Sequence, residues 1–197
     1  TYPQILKGFT HLSTELSTKS TEKVMHMFDL STLIHNRFAT RSYLPQAVEA
    51  EKLSQILEAG RLAPTGANAQ HQRILVVQSD EGRAKLAQAA NIYHAPLALI
   101  VCATPAKAWT RPVDGKNIAD IDASIVTDHM MLQAEALGLG SVWLCYFDPD
   151  KLRRELQIPD ELEPVNILAL GYSAQEAADP ERHKNLRVPL EQLAEFI

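Results

Sequence analysis

From Asp29 onward the apolar positions follow two periods. Leu53, Ile56, Leu57 and Gly60 recur at helical spacing and predict a helix over Glu49 to Leu62. Ala123, Val126, Met130, Ala134 and Leu137 form one stripe and predict a longer helix over Asp122 to Leu137. Asp120 or Asp122 is placed to cap its start, and Gly138 suits its end. Leu30, Leu33 and Ile34 predict a short amphipathic helix over Asp29 to His35. Further helices are expected from Asp80 or Glu81 to Ala90, from Pro149 to Leu156 and over Glu191 to Phe196. Four apolar runs read as strands: Ile74 to Val77, Leu97 to Ala103, Ser141 to Phe147 and Val165 to Leu170. Helices that enclose about four such strands predict an α+β fold with a mostly buried sheet. The polar stretch from Thr104 to Ala119 reads as a connection.

The first residues break this pattern. Ser and Thr crowd residues 1–27, which read as a loosely ordered extension before a domain over 28–197, with Met25 or Met27 a candidate natural start. A chain of 197 residues with 46% apolar content can bury one sizeable core. A net charge of −5 argues against binding nucleic acid by counterion release. Cys102 and Cys145 each fall in an apolar run that reads as a strand, which favours a reducing, cytoplasmic setting over a disulfide framework. No apolar run is long enough to span a bilayer, and residues 1–26 show no secretory signal.

Candidate chemistry gathers in four places. Arg37 and Arg41 stand four residues apart in Arg37-Phe38-Ala39-Thr40-Arg41-Ser42-Tyr43. Such a pair in isolation is usually solvated, yet guanidinium forks match phosphate oxygens in bidentate geometry. The turn Pro64-Thr65-Gly66-Ala67-Asn68-Ala69-Gln70 presents two carboxamides, with paired donors and acceptors. They are either ordinary loop amides or readers of an edge that alternates carbonyl and N–H groups, as an isoalloxazine does. Leu137 to Tyr146 reads as helix, glycine turn and strand, where glycines admit a flat ligand close to the backbone. Leu144, Cys145 and Tyr146 would then offer apolar walls and backbone N–H groups. Arg187, with Lys184 nearby, gains meaning if the tail returns to the phosphate. A flavin mononucleotide carries all the features these segments address, and a flavin implies redox chemistry. Other chemistries have weaker support. The seven histidines form no i, i+4 pair or Cys/His cluster, and no G-x-S-x-G elbow occurs. Gly138-Leu139-Gly140 precedes a strand rather than a helix, the wrong order for a dinucleotide fingerprint.

These four motifs, in order, resemble those of the nitroreductase family of FMN-dependent oxidoreductases. The resemblance runs from about Asp29 to Ile197. It rests on the arginine segment, on Pro64 to Gln70, on Ala134-Glu135-Ala136-Leu137-Gly138-Leu139-Gly140 and on Arg187-Val188-Pro189. Phe38 and Ala39 replace a common polar pair, His71 and Gln72 stand where Pro-Trp is common, and Cys145 and Tyr146 stand where many relatives have Glu-Gly. The Thr104–Ala119 connection is short beside larger relatives.

The resemblance implies a central, mostly antiparallel sheet flanked by helices, and a homodimer with FMN at the interface. It implies ping-pong hydride transfer from NAD(P)H to a small-molecule acceptor such as a nitroaromatic or quinone, with no nucleic-acid or membrane partner. Arg41 would carry the catalytic role, beside the ring edge where reduction builds negative charge. Arg37 and Arg187, with Lys184, would hold the phosphate. Phe38, Ala39, Pro64, Thr65, Asn68, Gln70, Leu144, Cys145 and Tyr146 would complete the cofactor site. A flavin binder with little turnover, or an FMN-dependent dehydrogenase or dehalogenase of one metabolite, are the alternatives.

Overall fold

The computed structural model describes residues 29–197, so the expected extension over residues 1–27 lies outside the described residues. In chain order the elements are α1 (Leu30–Asn36), α2 (Ala50–Leu62), β1 (Gln72–Val77), α3 (Asp80–Leu86), β2 (Leu97–Ala103) and α4 (Ala119–Ala136). They continue with β3 (Gly140–Leu144), α5 (Pro149–Leu156), β4 (Glu163–Gly171), α6 (His183–Leu186) and α7 (Leu190–Leu193). The strands form one sheet in the order β1-β2-β4-β3, with every neighbouring pair antiparallel. The α+β class and the antiparallel sheet flanked by helices are as expected.

β2 is buried at every position, so its continuous apolar run conceals a period of two. Leu97, Leu99 and Val101 pack with Leu168 and Leu170 of β4, Ile56 of α2, and Ala123, Val126, Met130 and Ala134 of α4. Ala98, Ile100 and Cys102 pack on the other face with Ile167 and Ala169 of β4, Leu86 of α3 and Leu152 of α5. The result is three layers, α2 and α4, the sheet, then α3 and α5. Each large aliphatic side chain fully buried here stabilises the fold by about 1.5–3 kcal/mol. Burial pushes the Cys102 thiol up to about 11, which keeps it protonated and inert at neutral pH.

Several boundaries differ from the sequence expectation. α4 opens at Ala119, one turn before Asp122, and neither Asp120 nor Asp122 caps it. Asn117 Oδ1 accepts the Ala119 N–H at 2.9 Å instead. β3 ends at Leu144 rather than Phe147, so Cys145 is exposed and outside any strand. The chain must turn there, because Asp148 donates its N–H to the Ala89 carbonyl at 2.9 Å and caps α5 through the Lys151 N–H. α3 ends at Leu86, beyond which Gln88 and Ala89 make tighter i to i−3 bonds. β1 and β4 extend past their apolar centres into polar ends, and the last helix is Leu190–Leu193 rather than Glu191–Phe196. Gly138, with φ of 74°, ends α4 as expected.

The outer edge of β3 is covered by the segment after α1. Ala39 bridges Ser141 in parallel, and the Thr40 N–H donates to the Ser141 carbonyl at 2.9 Å. Gly140 makes this approach possible. A Cβ there would overlap Thr40 Oγ1 and lie 2.9 Å from Thr40 Cγ2. Gly140→Ala is expected to destabilise the protein by about 1–3 kcal/mol through overpacking, read as a lower urea midpoint at unchanged slope. A midpoint equal to the parent's would mean that this contact is soft.

Candidate functional site

Two chain segments carry most of the candidate residues, and the fold holds each differently. Residues 37–44 run along the sheet margin. Beyond the Ala39–Ser141 bridge, the Leu44 N–H donates to Tyr172 O at 2.8 Å and the Ala174 N–H donates to Ser42 O at 3.0 Å. The Tyr43 hydroxyl lies 2.9 Å from Thr40 O and 3.2 Å from Ala169 O, and burial pushes this phenol above its ordinary range. Thr40 is fully buried and Ala39 packs partly buried against the core, while Arg41 turns outward. The Arg41 N–H donates to Gln175 Oε1 at 2.5 Å, and its exposed side chain lies 3.5 Å from Ala39 O.

Arg37 and Arg187 meet in one cleft of about 480 Å³, between the end of α1, the middle of α4 and the C-terminal segment. Asp128 and Met131 of α4 line it, as do His35 and His183. Neither guanidinium is closed off by a salt bridge among the described residues. Arg182 staples the tail to this place. Its guanidinium donates to Arg37 O at 2.7 Å and to His35 O at 3.1 Å. The His183 ring stands edge-on to His35 with centroids 5.9 Å apart, and its Nε2 lies 3.1 Å from His35 O. These donors satisfy carbonyls that the end of α1 leaves open. Glu135, half-buried on α4, faces the same cations. Burial raises its carboxyl above the ordinary range, while Arg37 and Arg182 pull it back.

The turn after α2 is held from inside. Ala67, Asn68 and Gln70 all adopt positive φ, at 51°, 54° and 48°. The Gln70 N–H donates to Thr65 Oγ1 at 3.1 Å, and Gln70 Nε2 donates to Asn68 O at 3.2 Å. The Asp122 carboxylate accepts the Gly66 N–H at 3.1 Å on each oxygen, and His71 Nε2 stands 3.0 Å from Oδ2. Thr65 and Gln70 line a second cleft of about 340 Å³ between α2 and β1.

The remaining candidates are less gathered. Asn68 and Pro64 are exposed at the turn, and Phe38 is half-buried beside Arg37. Leu144 closes β3, with Cys145 and Tyr146 exposed beyond it, Tyr146 at 97%. Lys184 pairs with Glu181 on the surface and does not line the arginine cleft. Sequence reasoning missed Arg182, Glu135, His35, His183, His71 and Asp122. Asp122 carried a usable signal: it precedes Ala123 and Val126 on the buried stripe of α4, where a carboxylate needs a reason to be. The others depend on long-range contacts that no local pattern announces.

Comparison with known proteins agrees with this geometry. The nitroreductase family model matches residues 34–93 and 87–172, more than half of the chain. A nitroreductase family protein of Clostridium difficile 630 is 54% identical, with a TM-score of 0.81, over 83% of this chain and 95% of that one. An FMN-dependent nitroreductase of Clostridium difficile R20291 is 27% identical, with a TM-score of 0.68, over 83% and 96%. An FMN reductase [NAD(P)H] of Bacillus subtilis is 29% identical over 161 residues, 72% of this chain and 65% of that protein. With its sheet order, its paired arginines and its glycine turn accounted for, the chain belongs to the nitroreductase family.

Proposed function

We propose that this protein is an FMN-dependent oxidoreductase that takes hydride from NAD(P)H and reduces a small oxidised acceptor, such as a nitroaromatic or a quinone. The observation that carries the reading is the meeting of Arg37 and Arg187, from opposite ends of the described chain, in one cleft. Family membership and the FMN named for two relatives supply the cofactor. The donor set fits a phosphate: two guanidinium forks free of salt bridges among the described residues, with two imidazoles at the rim. FMN, when bound, supplies the redox chemistry, receiving hydride and passing electrons to the acceptor in a ping-pong cycle.

The chain's own residues bind and bias. Arg37 and Arg187 hold the phosphate, and Lys184 would join them only by leaving its ion pair with Glu181. Arg41, exposed and anchored by its backbone N–H to Gln175, brings a cation to the ring edge where negative charge develops. Thr65 shapes the turn from which Asn68 and Gln70 offer carboxamides to the ring or the ribityl chain. Pro64, Phe38 and Ala39 line its approach. Leu144, Cys145 and Tyr146 form a wall at the end of β3. A second copy of the chain completes the site. Ile34, which lines the arginine cleft, and Leu30, Leu186, Val188, Leu190 and Leu193 of the flanking helix and tail are exposed, and a homodimer would cover them. A reducing cytoplasm suits a chain whose two cysteines are both free.

The purified protein is expected to show a flavin spectrum that bleaches anaerobically with NADH or NADPH and returns with a quinone. A colourless protein that takes up no added FMN overturns the reading. Arg37→Ala and Arg187→Ala should each weaken FMN retention at least about tenfold, the loss of one charge-assisted contact. Arg41→Ala should slow flavin reduction at least about tenfold while leaving flavin content nearly intact; equal reduction rates would remove its catalytic role. Light scattering should give twice the 21.9 kDa of the chain, and a monomer at micromolar concentration would sink the interface reading.

A further inference from the structure

We propose that Asp122 and His71 are positioning residues: they hold the Pro64–Gln70 turn in a strained shape that presents Asn68 and Gln70 to the flavin. The inference rests on the FMN reading above and assigns work to two residues outside the cofactor-contacting set.

The first observation is strain. Ala67, Asn68 and Gln70 sit in the left-handed region within four positions, and none is glycine. Asparagine tolerates that region, but alanine and glutamine meet their own Cβ against the backbone there. A turn of this kind relaxes unless its surroundings hold it, and such strain gathers at functional loops.

The second observation is what holds it. Gly66 precedes the strained residues and His71 follows them. One carboxylate engages both. Asp122 accepts the Gly66 N–H at 3.1 Å on each oxygen and lies 3.0 Å from His71 Nε2. His71 and Asp122 are 4% and 2% exposed, so the pair is sheltered from water. His71 Nδ1 is buried without a partner among the described residues. The other ring nitrogen, Nε2, is the one in contact, 3.0 Å from Asp122 Oδ2 and 3.0 Å from Gln72 Nε2. Past the clamp, the Thr104 N–H donates to His71 O at 3.1 Å and fastens the chain as it enters β1.

The third observation is cost. Asp122 occupies a core position on α4, beside Ala123 and Val126. For stability alone an apolar residue serves as well or better than a buried ionised group. A carboxylate is useful there because it can hold the Gly66 N–H and the His71 ring at once and draw the turn inward. Cutting it releases the turn, and the share of protein with the binding shape falls. Apparent affinity falls by the same factor.

The test uses the whole chain, with FMN titrated against apoprotein and followed by flavin fluorescence and visible absorbance. Asp122→Ala should weaken FMN binding at least about tenfold and shift the bound-flavin spectrum, with far-UV circular dichroism unchanged. Asp122→Asn keeps an acceptor for the Gly66 N–H and should fall between that variant and the parent. Adding Ala67→Gly to Asp122→Ala lowers the cost of positive φ, and should recover a large part of the lost affinity. Such recovery is not expected from a residue that merely fills the core. His71→Leu, which leaves Asp122 on Gly66, provides the same readout if Asp122→Ala fails to fold, and should also weaken binding and shift the spectrum. Parent-like affinity and spectrum in Asp122→Ala or His71→Leu, or no recovery on adding Ala67→Gly, would overturn the proposal. A parent protein that binds no FMN would instead overturn the cofactor reading, whatever the variants do.

Discussion

A small sheet covered by helices on both faces has only its edges and its ends left for chemistry. That constraint governs this protein. β2 and β4 lie at the centre, with α2 and α4 on one side and α3 and α5 on the other. No ligand can reach a face without displacing core. The free edge of β3 takes the 37–44 segment, and the lead into β1 takes the 64–71 turn. The C-terminal segment then folds back to the end of α1 through Arg182 and His183. Residues far apart in sequence converge because these margins are the places the core does not occupy.

The two margins are held by different physics. The 37–44 segment is held by main-chain pairing, which specifies register and leaves alternate side chains facing out. Thr40 goes inward against Gly140 and Arg41 goes out, as pleating requires. Such pairing is cheap and tolerant of side-chain change, so Phe38 and Ala39 keep the path without polar side chains. The 64–71 turn has no strand to lean on. Its backbone departs from ordinary φ at three residues, and a single carboxylate offsets the departure from within the core. An ionised group in that place is high-stakes, because everything it touches loses a partner if it goes.

Much of this was legible in the sequence. Periodicity located the four strands and the main helices, because burial on one or two faces leaves a period of two or of 3.6. The arginines, the carboxamide turn and the glycine turn marked themselves by residue type. The boundaries were less legible. Asp120 and Asp122 look like caps for a helix that in fact begins one turn earlier, since Asn117 satisfies the first N–H. Cys145 and Tyr146 look like strand because they continue an apolar run, whereas the capping of α5 by Asp148 forces the chain out of the sheet. His71 read as a departure from a family pattern, and its contact with Asp122, 51 positions away, has no local signature. Contacts of that range follow from packing α4 against the turn, which the pattern of either segment alone does not contain.

α4 runs from the carboxamide turn to the arginine cleft. Asp122 near its start engages the turn, Asp128 lines the arginine cleft, and Glu135 near its end faces Arg37 and Arg182. Thirteen residues separate Asp122 from Glu135 along one uninterrupted helix, about 20 Å at 1.5 Å per residue. The distance between the carboxamide turn and the arginine cleft is therefore set by a rigid element, and each end reports to it through a carboxylate. A helix buried on the sheet side cannot slide without breaking the packing of Val126 and Met130. The turn and the arginine cleft of one protomer are thus held at a fixed spacing before any ligand binds. Pre-set spacing of this kind reduces the ordering cost of association. Of the three carboxylates only Asp122 takes a buried position on this helix, and its grip on the turn is the reason for it.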